Sequence, residues 1–160
     1  MTRERPAPSD PYDLQRFLDA QRGLYAQARA ELARGAKESH WMWFIFPQLK
    51  GLGLSRTSLF YGISGKAEAL AYFRHPVLGA RLRECTALVN AVEGKTIGQI
   101  FGSPDDMKFR SSMTLFAHIT ADDEDFRLAL GKYFRGEPDP ATLACFWGAG
   151  EAPSAYPCPD

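Results

Sequence analysis

The strongest restriction on how this chain can fold is its punctuation, a series of helix-starting and helix-stopping residues set at short intervals along the sequence. A short polar side chain before a helix accepts an N–H that has no partner inside it, proline costs nothing in the first turn, and glycine accepts the backbone that ends a helix. "DPYDLQRFLDAQRGLYAQARAELARG" opens with Asp10 as N-cap and Pro11 at the first helical position, and closes on Gly35. Phe17, Leu18, Gln21, Leu24, Tyr25, Ala28 and Leu32 follow helical spacing, and Gly23 divides the segment into two helices. Ser39 is placed to cap a short helix carrying the aromatic run into Pro47, and a further helix begins near Ser55.

The same signals continue downstream. Ser64 precedes "GKAEALAYF", His75-Pro76 opens "VLGARLRECTALVNAV", and Gly94 follows as a stop. Thr96 with Gln99 makes a capping box, and Ser103-Pro104 with Asp106 makes a second. Phe109, Met113 and Phe116 share one helical face, as do Phe126, Leu130, Tyr133 and Phe134, and Asp139-Pro140 starts a last helix through "ATLACF". No period-two alternation and no Asn-Gly or Asp-Gly hairpin is present. The prediction is an all-α fold, a compact single multihelical domain of about seven to nine helices over residues 10–147. Flexible tails are expected at 1–9 and 148–160, which are rich in Pro, Ala, Gly and Ser.

Charge restricts function. Nineteen basic and nineteen acidic residues cancel, so neither nucleic acid nor an anionic membrane is expected as the main partner. The N-terminal residues form no signal-like apolar region, and Trp41 to Phe46 is too short to span a bilayer. A soluble cytoplasmic protein is the simplest expectation. Cys85, Cys145 and Cys158 form no C-x-x-C pair, and His40, His75 and His118 lack metal-ligand spacing, so no metal, disulfide or cofactor is implied.

Residues 39–63 hold six of the twenty aromatic residues, together with Lys50 and Arg56, and no carboxylate. A basic aromatic surface suits flat anionic ligands; dense aromatics are also what a core requires. All six positions from Trp41 to Phe46 are apolar, more than one helix face can bury, so some rings face a neighbouring element or a pocket. After Gln48, "KGLGLSRTS" combines permissive glycines with Ser55, Arg56 and Ser58 at a helix start, an arrangement that can hold a phosphate or form a plain turn. In "DDMKFRSSMTLF", Lys108, Ser111, Ser112 and Leu115 form a stripe beside the core face. Lysine near hydroxyls can hold an anion, and small hydroxyl residues also permit close helix packing. His40, beside Trp41, is the histidine placed for a functional role. With Tyr61, these define the candidate ligand-binding set: His40, Trp41, Trp43, Gln48, Ser55, Arg56, Tyr61, Lys108, Ser111 and Ser112.

"DPYDLQRFLDAQ", "SHWMWFIFPQ", "GLGLS", "HPVLGARL" and "IFGSPDDMKFRSSMTLF" together closely resemble domain of unknown function 1810, a bacterial family sometimes labelled "calpastatin", over about residues 10–136. The resemblance implies a compact multihelical domain and no established activity. The label carries little, because this chain shows none of the disordered repeats of that inhibitor. "KFRSS" followed by "FWGAG" is similar to elements of the NADAR proteins, which process ADP-ribose-linked substrates.

Three readings compete. The first is a small-molecule binding domain, for an anion such as a nucleotide, with its pocket between the aromatic helix and the Lys108 helix. The second is an N-glycosidase-like enzyme acting on ADP-ribose or nucleotide groups, with Glu68, Asp105 or Asp106 as acid/base groups. The third is a protein-interaction module anchored by exposed aromatics.

Overall fold

The computed structural model describes residues 10–147, apart from the side chains of residues 146 and 147. Both expected tails lie outside the described residues, as do Cys158 and residues 148–150 of the "FWGAG" element.

The described residues are helical, with ten helices in chain order: α1 Gln15–Gln21, α2 Tyr25–Ala33, α3 Met42–Ile45, α4 Arg56–Tyr61, α5 Lys66–Arg74, α6 Leu78–Ala91, α7 Ile97–Phe101, α8 Asp105–Ile119, α9 Glu124–Phe134 and α10 Pro140–Trp147. The all-helical expectation holds, with the count just above the expected range. Extended pairing among the described residues is confined to an isolated parallel bridge between Leu49 and Ile63.

Most of the local signals act as read. Asp10 accepts the N–H groups of Leu14 and Gln15 at 2.7 and 3.1 Å but is not the N-cap: α1 starts at Gln15, and Pro11 lies in a turn ahead of it rather than at the first helical position. Gly23, at φ +87°, makes the left-handed break between α1 and α2 that a side chain would strain. Ser55 accepts the Ser58 N–H, Thr96 and Gln99 form their reciprocal box, and Asp139 accepts the Thr142 N–H at the start of α10.

Two further caps differ from expectation. Ser39 does not open α3; its hydroxyl donates to Glu31 at 2.6 Å, and the helix starts after Trp41 with no side-chain cap. Ser103 does not form a box with Asp106, because Asp106 accepts the N–H of its own neighbour Met107 at 2.8 Å and α8 begins after Pro104.

Helix α8 is the axis of the fold and packs against α5, α7, α9 and α10. Phe109, Met113 and Phe116 are fully buried, as the spacing predicts, and every residue from Ser111 to Ala117 is buried as well. Such a helix is buried on more than one side, and Ser112 and Leu115 therefore sit inside rather than on a flanking stripe. The close α5–α6 corner depends on Gly79, where a Cβ would stand 1.9 Å from the Phe73 carbonyl oxygen. Polar groups tie the N-terminal helices to this core. Gln21, fully buried, donates to the Phe44 carbonyl at 2.7 Å, and Arg16 pairs with buried Glu68 at 2.6 Å.

Candidate functional site

The aromatic run separates into core and margin. Trp41 is fully buried, and its indole N–H donates to Glu31 Oε1 at 2.9 Å. The same carboxylate accepts the N–H groups of Glu38 and Ser39 and the Ser39 hydroxyl. Burial alone would raise the Glu31 pKa, but these four donors outweigh it and hold the carboxyl at about 2. Glu31 thus pins the loop that delivers the aromatic run. Phe44, Ile45 and Phe46 are also buried, whereas Trp43 is half-buried.

Trp43 faces polar chemistry. Its indole N–H donates to the Ser58 hydroxyl at 3.2 Å, which also receives a hydrogen bond from Ser55 at 2.9 Å. The Lys108 ammonium stands 4.5 Å from the centroid of the Trp43 ring. Lys108 is also 3.6 Å from Asp105 Oδ1, while Lys37, almost wholly buried, binds Asp105 Oδ2 at 2.8 Å. Two ammonium groups share one carboxylate, which leaves the trio with one positive charge in excess, and Lys108 carries it to the surface.

That surface is a cleft of about 460 Å³ between the loop after α3, the start of α8 and the start of α10. Gln48, Lys108, Ser111 and Asp139 contribute polar side chains, and Leu52, Leu54, Pro104, Met107 and Ala141 contribute apolar walls. The Leu49–Ile63 bridge fixes the base of the loop: the Gln48 carbonyl accepts the Ile63 N–H at 2.9 Å, and Lys50 N–H donates to Ile63 at 2.8 Å. Asp139 Oδ2 accepts from Ser111, Thr142 N–H and the Thr142 hydroxyl, so this carboxylate serves α10 and the α8 contact.

The structure therefore brings Gln48, Lys108 and Ser111 to one cleft, with Trp43 behind Lys108 and Ser55 reaching Trp43 through Ser58. Other members of the predicted set lie elsewhere. Trp41 is core, His40 and Arg56 are exposed and line no described cleft, and Ser112 is fully buried. Tyr61 packs against Phe17, Phe44 and Phe60 and borders a separate recess with Asp13, Arg16 and Asp19. The free helix start imagined at Ser55 is closed by that side chain's own bond to the Ser58 N–H.

The acid/base candidates are each engaged. Glu68 accepts from Arg16 and from the Ser64 N–H and hydroxyl, Asp105 holds two lysines, and Asp106 holds the Met107 N–H. Asp139 escapes sequence reasoning because it lies 28 residues from Ser111, and Leu54 and Met107 because an apolar side chain beside a polar one carries no signal of a site. Among the described residues no group of three His, Cys, Asp or Glu side chains could hold a metal ion. No helix of the described residues is long and apolar enough to cross a membrane. Cys85 is a buried thiol, and burial raises its pKa to about 12.

The family described as "Protein of unknown function (DUF1810)" matches residues 11–146. No curated protein matches the sequence significantly. A solved structure, the conserved hypothetical protein Rv1873 from Mycobacterium tuberculosis, is 53% identical and superposes with a TM-score of 0.84, covering 84% of this chain and 96% of that one.

Proposed function

We propose, for a chain that belongs to the DUF1810 family of proteins of unknown function, that it is a small-molecule binding domain whose ligand sets an anionic group against Lys108. The observation that carries this reading is the meeting of Gln48, Lys108 and Ser111 in one largely apolar cleft. A concave site with apolar walls and a few convergent polar groups is the usual form of a small-molecule site. The Lys108 ammonium, which has only a share of Asp105, supports an anion as the bound group, with the Gln48 amide as an additional donor; the cleft's own carboxylate, Asp139, is engaged by Ser111 and Thr142.

The test is direct. Trp43 lies against Lys108, so an anion that draws the ammonium away should change tryptophan emission. Nucleotides, including ADP-ribose and NAD, and organic carboxylates should be titrated into the wild type and into Lys108→Ala. A saturable response that weakens in a folded Lys108→Ala variant supports the reading; no response to any anion at about millimolar concentration, the weak end of specific affinity, defeats it.

The interaction-module reading has one specific observation in its favour. Leu59 and Phe60 on α4 are substantially exposed, and Leu54 beside them is 80% exposed. Pull-down by the wild type and not by Phe60→Ser would support it. The N-glycosidase reading draws no comparable support, because its acid/base candidates are all engaged in ion pairs or hydrogen bonds.

A further inference from the structure

We infer that the cleft ligand is a monoanion with an apolar body, an aromatic or branched aliphatic carboxylic acid, rather than a nucleotide or other polyanion. The inference rests on the small-molecule reading above and narrows its ligand class. The charge of the site is the first reason. Among the described residues Lys108 is the sole cationic side chain lining the cleft and Asp139 the sole carboxylate, and Lys108 already shares Asp105 with Lys37. A single lysine, whose partner Asp105 is divided between two ammonium groups, can offset one ligand charge, while Asp139 is turned to Ser111 and Thr142.

The second reason is what surrounds that charge. Helix N-termini often supply the extra attraction a phosphate needs. Here both helix starts bordering the cleft are occupied by the chain's own carboxylates: Asp105 and Asp106 lie in the first turn of α8, and Asp139 accepts the N–H of Thr142 on α10. A second ligand charge would meet these carboxylates without a second cation. Repulsion of that kind selects against polyanions as surely as the lysine selects for a monoanion.

The third reason is the remaining surface. Leu54 is 80% exposed and Met107 46% exposed at the cleft, with Leu52, Pro104 and Ala141 completing the walls. These residues have no polar atoms in their side chains apart from the weakly accepting Met sulfur, so they fit a hydrocarbon body and offer nothing to a ribose. Gln48 lines the cleft with Lys108 and supplies amide donors at its polar end, while the Ser111 hydroxyl donates to Met107 and Asp139.

The experiment is calorimetric titration of the full chain with three probes: 2-naphthoate, the uncharged 2-naphthalenemethanol and AMP. Naphthoate should bind at least ~10-fold more tightly than either other probe, and Lys108→Met should erase its advantage over the alcohol. Leu54→Asp, at an exposed position that cannot disturb the core, should weaken naphthoate by a further charge at the rim and keeps the test open if Lys108→Met is poorly folded. If AMP binds as tightly as naphthoate, the monoanion inference is overturned and the small-molecule reading stands. Equal binding of the alcohol also overturns it, since charge would then play no part. If no probe saturates at about 10 mM, both readings fall.

Discussion

The Trp41 indole N–H donates to Glu31 Oε1 at 2.9 Å, inside a region where both side chains are within 1% of full burial. This bond decides that the first tryptophan of the aromatic run is core. It also makes an ionised carboxylate part of the core, tolerated because four donors from Glu38, Ser39 and Trp41 surround it, with Gln27 adding another at 3.1 Å.

That arrangement predicts an acid-sensitive fold. Glu31 has a folded pKa of about 2 against an ordinary 4.5. A depressed carboxyl contributes stability that is fully present above the unfolded pKa and is lost as pH falls toward the folded one, here from about 4.5 down to about 2. The contribution is on the order of 3 kcal/mol at neutral pH. Glu31→Gln should therefore destabilise by roughly 2–4 kcal/mol, since an amide nitrogen would face donors where an oxygen accepts. It should also flatten the acid limb of a urea-melt series. An unchanged acid limb would show that Glu31 is not the group responsible.

Ser112 leads to the opposite expectation. Its hydroxyl is fully buried and has no hydrogen-bond partner among the described residues. An unsatisfied buried hydroxyl costs about 1–3 kcal/mol, so Ser112→Ala should be neutral or stabilise by up to ~1 kcal/mol. Ser111→Ala should instead cost about 0.5–1.5 kcal/mol, because Ser111 bonds the Met107 carbonyl and Asp139. Thermal melts of the two variants separate the cases, and a large loss at Ser112 would mean the hydroxyl has a bound water or ligand as partner.

Phe116 tests the core face of α8. It is fully buried, with its ring 5.7 Å from both Tyr72 and Phe126. Phe116→Ala should cost about 3–5 kcal/mol in equilibrium unfolding. A cost under ~1 kcal/mol would require the neighbouring rings to collapse into the space, which their packing on both sides opposes.

What was legible in the sequence was what is local. Ser55, Thr96 with Gln99, and Asp139 act on backbone groups three residues away, so their residue types announce their roles. The spacing of Phe109, Met113 and Phe116 likewise reveals a buried face. The misread caps show the limit of such signals. Ser39 has the right type, but a buried carboxylate on α2 competes for it more strongly than the start of α3. Stripe logic failed at Ser112 because α8 is enclosed on several sides, which depends on helices far along the chain. The cleft was half legible for the same reason: Gln48, Lys108 and Ser111 are polar residues in unusual company, whereas Asp139 read only as a cap and Leu54 as a loop residue.

The last prediction concerns the glycine loop, whose role turns out to be steric. A Cβ at Gly53 would lie 2.7 Å from the Ser58 hydroxyl and 3.0 Å from Ser58 Cβ. Ser58 cannot yield freely, since it is fixed in α4 and its hydroxyl links Ser55 to the Trp43 indole. Gly53→Ala should therefore push the loop or the hydroxyl aside, cost about 1–3 kcal/mol as overpacking does, and release the Trp43 N–H bond. Because Trp43 supports Lys108, ligand response in the cleft should weaken alongside the shift in tryptophan emission. A double-mutant cycle identifies the cause: in a Ser58→Ala background the hydroxyl clash is gone while the Cβ contact remains, so the cost of Gly53→Ala should fall by roughly 0.5–1.5 kcal/mol. If the two substitutions are additive, Ser58 is not what keeps residue 53 a glycine, and the loop's approach to α4 must be held by the backbone contacts around Gln48 instead.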